Sequence, residues 1–228
     1  MSEGKTPNNI LSIESAVAGG SVALITERSN CVLKHDGEDA SRAEKIIPVI
    51  VDVLEEGSMT LGDLDMIAVS IGPGSYSGIR IGVATAIGLA NALDIPCIGV
   101  SVLEAMAFAA LPIQKVLAAI LVGKNDIAWQ PFLLPQPGKP DSAAEPQLLS
   151  LSSFIDELAD FADSTLLAPS DLLIRLADLL PEYTRYVDMG TSLAECVGKF
   201  ASSKDKPGNR LQPIYLRNRD ANIGRAGF

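Results

Sequence analysis

Apolar runs alternate with amphipathic stretches along the first hundred residues of the chain. From Arg42 to Glu56 the apolar positions recur every three or four residues, which predicts a helix that Pro48 kinks or deprives of one hydrogen bond. The run from Met66 to Ile71 is almost wholly apolar, as expected of a strand buried on both faces. The pattern predicts strands at 10–13, 21–26, 30–35, 66–71 and 96–100, and helices at 42–56, 79–93 and 102–110.

After Pro112 the pattern is less regular, and the proline-rich stretch from Pro135 to Pro146 predicts a loop. We place a domain boundary between an N-terminal lobe, residues 1–104, and a smaller, diverged C-terminal lobe, residues 105–228. The last segment of the chain can return to the first lobe. The elements predicted here are strands at 116–121, 128–134 and 165–168, and helices at 151–161, 172–180 and 191–202.

The second predicted helix carries no charged residue between Ile81 and Leu93. A surface helix normally shows a polar face, so this helix should be covered on all sides. Either a helix of a partner packs against it, or it is enclosed by its own domain. For the first interpretation, one row of small residues and the apolar side of the preceding helix form the candidate interface. These residues are Gly78, Gly82, Ala86 and Ala90, with Ile46, Ile50 and Val53.

A glycine-rich turn from Gly72 to Gly78 precedes that helix. Backbone N–H groups at such a turn, together with the positive end of a helix, can cradle a phosphate. The spacing matches neither of the common phosphate-binding motifs, and the glycines can equally serve the geometry of a tight turn. Both interpretations stay open here. The candidate phosphate-binding residues are Gly72, Gly74, Ser75, Ser77, Gly78 and Arg80.

Composition narrows the possible functions of this 228-residue chain. Hydrophobic residues make up 47% and charged residues only 20%, which excludes general disorder and suggests a partner that covers apolar surface. The net charge of −10 repels nucleic acid and anionic membranes on average. Three separated cysteines indicate reduced thiols, and the sequence shows neither a signal-peptide core nor a run long enough to cross a membrane. We therefore expect a soluble, cytoplasmic protein.

The segment GPGSYSGIRIG at 72–82 closely resembles the GPGSFTGLRIG signature of the TsaB (YeaZ) family. The likeness is dense over residues 10–110 and sparse from there to residue 210. Further segments that resemble the family are ILSIES at 10–15, the helix at 41–54, LDMIAV at 64–69, the stretch at 95–104 that contains GVSVLE, and PIYLR at 213–217.

The resemblance implies an α/β protein with the actin-like ATPase (ASKHA) fold in a shortened form, with two lobes and mixed sheets. It also implies a non-catalytic partner of TsaD, the subunit that transfers threonylcarbamoyl to adenosine beside the tRNA anticodon. A TsaE-type ATPase joins that complex. Family members dock on TsaD, or on a second copy of themselves, through two helices of the first lobe. We therefore expect a homodimer when the chain is alone, no catalytic residue or activity of its own, and contact with tRNA only through the complex.

The chain lacks a feature of the catalytic subunit TsaD and also differs from the TsaB family at two positions. It has one histidine, His35, so the pair of histidines that holds metal in a TsaD-like site cannot be built, and we expect no metal. Glu14 and Ser15 stand where the family usually has Asp and Thr. The alternative function is an actin-like ATPase or kinase that binds ATP through the glycine turn, and the missing aspartate counts against it.

Overall fold

The computed structural model describes residues 8–17, 19–26, 31–35, 42–134, 140–190, 193–204 and 211–217. Its strands are β1 (Ile10–Glu14), β2 (Ser21–Ile25), β3 (Cys31–His35), β4 (Met66–Ser70), β5 (Cys97–Val100), β6 (Lys115–Val122), β7 (Asp126–Leu133), β8 (Asp141–Ser142), β9 (Gln147–Ser150), β10 (Thr165–Ala168) and β11 (Arg185–Asp188). Its α-helices are α1 (Arg42–Glu56), α2 (Tyr76–Leu93), α3 (Val102–Ala109), α4 (Leu151–Glu157), α5 (Ser170–Leu176) and α6 (Ala194–Ser202).

The first lobe is built on a five-stranded mixed sheet in the order β3-β2-β1-β4-β5. The strands β1, β2 and β3 pair antiparallel, whereas β4 and β5 continue the sheet in parallel with β1. Every residue of β1 and β4 is buried, as their apolar sequences predict for strands covered on both faces. Helices α1 and α2 cover one face of this sheet, and α3 and α6 lie on the other.

Helix α2 begins at Tyr76, three residues before its predicted start. The cause is Ser75, whose Oγ accepts a hydrogen bond from the Gly78 amide at 3.3 Å and so satisfies one of the free donors of the first turn. The helix therefore incorporates the last residues of the glycine turn.

The second lobe has a six-stranded sheet in which β11, β10, β6, β7 and β8 follow in that order and β9 pairs with β7. Helices α4 and α5 cover one face around Trp129 and Phe154, which are both fully buried. Helix α3 packs against β6 and β7, between the two sheets. The sequence did not predict β8, β9 and β11, because they are short and, unlike the equally short β10, have polar residues at both ends.

Helix α6 follows the second lobe in sequence and packs on the sheet of the first. Ser12 Oγ donates to the Ala194 carbonyl at 2.7 Å, and the Ala194 amide donates to Ser21 Oγ at 3.0 Å. Gly198 permits close packing, since a Cβ placed there would lie 3.0 Å from Ser12 Cβ. A helix from late in the sequence thus covers part of the first sheet. The domain boundary between residues 104 and 105 stays a prediction. Within the described ranges, no helix has both the length and the hydropathy to cross a bilayer.

Candidate functional site

The glycine turn is held by three other segments of the chain. The Ser75 amide donates to the Ala16 carbonyl at 2.7 Å, and the Gly72 carbonyl accepts from the Val102 amide at 2.9 Å. From the C-terminal segment, the Ile214 amide donates to the Ile71 carbonyl at 2.7 Å. The turn is therefore packed against its surroundings.

Two glycines of this turn are required by its backbone. Gly72 has φ of +103°, and a Cβ there would lie 2.8 Å from the Ile214 carbonyl oxygen. Gly74 has φ of +152°, and a Cβ there would collide with the Ala16 carbonyl oxygen. Side chains rarely adopt this backbone conformation and find no space here. These contacts favour the interpretation in which the glycines serve geometry.

The remaining phosphate candidates are also engaged within the chain. Ser75 Oγ caps α2 and lies 3.3 Å from Ser77 Oγ. The Gly78 carbonyl accepts from Ser15 Oγ at 2.8 Å. Arg80 lies against the ring of Tyr76 and donates to Tyr215, as described below. An anion bound by these side chains would have to compete with these contacts, and the phosphate role of the six candidates stays a prediction.

Glu14, at the end of β1, is buried and accepts hydrogen bonds from nearby donors. Its Oε1 accepts from the Ala16 and Val17 amides at 2.6 and 3.0 Å and from Ser70 Oγ at 3.2 Å, and the residue is only 3% exposed. A phosphate that bound here would have to compete with this carboxyl group for the same donors. The hollow beside Glu14 has a volume of about 10 Å³, the space of one water molecule. This geometry does not favour the ATPase or kinase alternative.

The row of α2 predicted to meet a partner faces the sheet of its own lobe. Gly78, Gly82, Ala86 and Ala90 are all buried, and a Cβ at Gly82 would collide with Ser15 Oγ. The same holds in α1, where the predicted contacts pack into the core: Ile46, Ile50 and Val53 are 6%, 2% and 0% exposed. These seven residues therefore cannot be the contact surface, and the prediction is corrected to the opposite side of both helices.

That opposite side carries exposed apolar residues on two helices that touch each other. Ile47 and Val51 of α1 are 47% and 46% exposed, and Ile87 of α2 is 37% exposed. Ala84 and Gly88 lie exposed beside Ile87 on the same helix. We call these residues the outward helix face: Ile47, Val51, Ala84, Ile87 and Gly88.

Gly88, unlike Gly82, has space for a side chain in the free chain. No heavy atom lies within 4 Å of a Cβ built at Gly88, so its own chain does not require glycine there. Glycine inside a helix costs about 1 kcal/mol relative to alanine. A close approach by another molecule would account for the glycine.

Three residues at the N-terminal end of α2 form what we call the tyrosine–arginine cluster: Tyr76, Arg80 and Tyr215. The Arg80 guanidinium carbon lies 4.0 Å from the centre of the Tyr76 ring, and its Nε donates to Tyr215 Oη at 3.4 Å. The two tyrosine rings are 4.9 Å apart between centres. The hydrogen bond that Arg80 donates to Tyr215 raises the pKa of Arg80, which therefore stays charged. The i, i+4 spacing of Tyr76 and Arg80 is readable in the sequence, whereas Tyr215 lies 135 residues further on.

The described cysteines and acidic residues offer no stronger site. Burial raises the pKa of the Cys97 thiol to about 11, so this cysteine stays protonated and unreactive at neutral pH. Among the side chains that the structure describes, no three His, Cys, Asp or Glu residues are grouped so as to hold a metal ion. The outward helix face and the adjoining cluster are therefore the strongest candidate site.

Solved structures of known proteins share this architecture. The chain superposes on a crystal structure described as an uncharacterized protein with similarity to peptidase YEAZ from Pseudomonas aeruginosa. The TM-score is 0.71 at 24% identity, over 92% of this chain and all of the other. With its mixed sheets, the molecule is therefore an α/β protein, as predicted, and it has the fold of that structure.

Sequence comparisons then give the family. The model of the family TsaD: tRNA N6-adenosine threonylcarbamoyltransferase matches residues 37–155, slightly more than half of the chain. The tRNA threonylcarbamoyladenosine biosynthesis protein TsaB of Escherichia coli K12 is 33% identical over 132 residues, 54% of either chain. The TsaB protein of Haemophilus influenzae is 34% identical over 123 residues, 52% of this chain and 51% of its own. The chain belongs to this family and, within it, to the TsaB (YeaZ) proteins. It spans about half the length of the curated relatives it matches.

Proposed function

We propose that the chain is the non-catalytic TsaB-type subunit of a complex that forms threonylcarbamoyladenosine in tRNA. In this proposal the outward helix face docks on a TsaD-type subunit and so supports transfer of threonylcarbamoyl to the adenosine beside the anticodon. The names of the relatives support the pathway, since they are described as tRNA threonylcarbamoyladenosine biosynthesis proteins.

The observation that carries the docking role is the apolar surface that α1 and α2 leave exposed. Ile47, Val51 and Ile87 are large apolar side chains on two contacting helices, and Gly88 leaves room for a close approach. Apolar side chains that a partner covers gain about 25 cal/mol for each Å² removed from water. The engaged glycine turn and the buried Glu14 carboxylate support a role without nucleotide chemistry of its own.

The proposal also covers the homodimer, the other members of the complex and its location. A second copy of the chain can use the outward helix face in a homodimer when the TsaD-type subunit is absent. A TsaE-type ATPase joins the assembled pair, and tRNA is contacted only through the complex because the net charge of −10 repels it. We place the complex in the cytoplasm, where tRNA is modified.

A charge placed on the outward helix face tests the docking role. Ala84→Glu should reduce co-purification with the TsaD-type subunit of the same organism by at least 100-fold, because taking a charged carboxylate out of water within an apolar contact costs several kcal/mol, even with Arg80 one turn away. The variant should stay folded, since Ala84 is exposed in the free chain. Circular dichroism checks the fold and analytical ultracentrifugation checks the homodimer.

The matched control is Ala109→Glu, an exposed alanine of α3 on the other face of the first sheet. It should bind the TsaD-type subunit as the unaltered chain does. Equal binding by the Ala84→Glu and Ala109→Glu variants would contradict the docking role of the outward helix face. Formation of the modified nucleoside at an undiminished rate without the chain would contradict the proposed function as a whole.

A further inference from the structure

The tyrosine–arginine cluster is continuous with the outward helix face. Tyr76, Arg80, Ala84 and Gly88 follow at intervals of four residues, so they share one stripe along α2. Tyr76 and Tyr215 are 54% and 45% exposed. A partner that covers Ala84 and Gly88 therefore reaches Arg80 one helical turn away.

The Arg80 guanidinium is held in place before any partner arrives. The Tyr76 ring supports one of its faces at 4.0 Å, and Tyr215 takes the Nε hydrogen at 3.4 Å. Tyr215 is itself positioned by the neighbouring Ile214 amide, which donates to the Ile71 carbonyl. A side chain fixed in this way loses less conformational freedom when it binds.

The terminal nitrogens of Arg80 face outward and can bind an anion of a partner. Within the described parts of the chain, they form no hydrogen bond or ion pair with a carboxylate. Arg80 is also the one charged residue in the 18 residues of α2. A planar group with several N–H donors is suited to grip the two oxygens of a carboxylate.

We infer that Arg80 receives an aspartate or glutamate carboxylate of the TsaD-type subunit when that subunit docks on the outward helix face. This inference rests on the proposed function and adds the chemistry by which the partner is recognised. Tyr76 and Tyr215 are positioning residues for the guanidinium. The C-terminal segment thereby takes part in partner recognition through Tyr215.

A protein carboxylate suits this site better than an RNA phosphate. The surroundings of Arg80 are apolar along α2, and the exposed residues Asp52 and Glu55 of α1 make the neighbouring helix acidic. Binding of RNA depends on several cations that together neutralise several phosphates. One arginine beside an apolar stripe is instead the composition found at the centre of protein interfaces.

Binding to the purified TsaD-type subunit, without RNA, tests the inference. Arg80→Gln should raise the Kd by about 10- to 100-fold, as expected for loss of hydrogen bonds to a charged group. The Kd of Arg80→Lys should lie between those of the unaltered chain and Arg80→Gln. Lysine keeps the charge but loses the paired N–H donors of the guanidinium and its contact with the Tyr76 ring. Tyr215→Phe should raise the Kd by about 2- to 10-fold, since it removes the acceptor of the Arg80 Nε hydrogen bond but keeps the aromatic ring in place. Lys124→Gln, at an exposed lysine of the second lobe, is the control and should leave the Kd unchanged.

Each outcome separates the inference from the proposed function. If Ala84→Glu abolishes binding while Arg80→Gln binds like the unaltered chain, the docking role stands and the carboxylate inference is overturned. If neither change affects binding, the docking role itself fails. If Arg80→Gln binds the partner normally but the assembled complex loses affinity for tRNA, the anion is an RNA phosphate and the inference is again overturned. Unchanged thermal melting of the variants excludes misfolding as the cause of a weaker Kd.

Discussion

At the scale of single residues, the two glycines inside α2 have opposite surroundings. Gly82 lies against the Ser15 hydroxyl, which donates to the Gly78 carbonyl from a buried position. Gly88 faces open space. The same residue type therefore serves the core in one case and the surface in the other.

Changing each glycine to alanine separates these roles. Gly82→Ala should lower the free energy of unfolding by about 1–3 kcal/mol, because the added methyl group displaces Ser15 and strains the packing between helix and sheet. Gly88→Ala should raise the free energy of unfolding by about 0.5–1 kcal/mol through helix propensity. Urea denaturation of the two variants measures both changes. A shift of the same sign in both would contradict the packing described here.

The sequence was sufficient to single out these glycines, but it did not show which way each one faces. A helix whose faces are both apolar offers no contrast from which its orientation can be deduced. One signal was present: Arg80 is the single charged residue of α2 and stands in the row of Ala84, Gly88 and Ala92. A charged side chain of this kind is rarely buried without a partner, so it marks the row that faces outward.

At the scale of elements, the helices and longer strands of the first lobe agree with the apolar pattern to within a few residues. The pattern succeeded there because β1 and β4 are apolar throughout and α1 has a clear helical period. The position of α6 on the first sheet could not be deduced from its periodicity. It depends on two long-range hydrogen bonds. Ser12 donates to the Ala194 carbonyl across 182 residues, and the Ala194 amide donates to Ser21 across 173 residues.

Removing one of these long-range bonds tests how firmly α6 is anchored. Ser12→Ala leaves the buried Ala194 carbonyl without its donor, so the free energy of unfolding should fall by about 1–3 kcal/mol. Ser142→Ala, at an exposed serine of β8, serves as the control and should change it by less than about 0.5 kcal/mol. Thermal or urea unfolding gives both values. Equal stability of the two variants would argue against a role of this bond in anchoring the helix.

At the scale of the whole molecule, the first lobe depends on residues from both ends of the sequence. Val197 and Phe200 of α6 belong to the same hydrophobic core as Ile10 of β1. Phe200 also contacts the Phe108 ring of α3, with 5.3 Å between the ring centres. The core of the first lobe is therefore incomplete without α6.

A truncation after Gly190 tests this dependence. The shortened chain lacks α6 and should fail to unfold cooperatively, because one face of the first sheet loses its cover and apolar side chains meet water. It should bind the dye ANS strongly, as partly folded states do. Adding a peptide of residues 191–228 should reduce the dye signal by restoring the missing helix. A shortened chain that melts at the same temperature as the full chain would contradict the shared core.

The late return of α6 has a consequence for synthesis on the ribosome. The strands of the first sheet have all been translated by Val100, but the helix that covers their second face begins at Ala194, roughly 90 residues later. At typical elongation rates of about 5–20 residues per second, a nascent chain spends several seconds with this sheet incomplete. During this time apolar residues of the sheet stay exposed, so a chaperone that binds apolar segments can recognise the nascent chain.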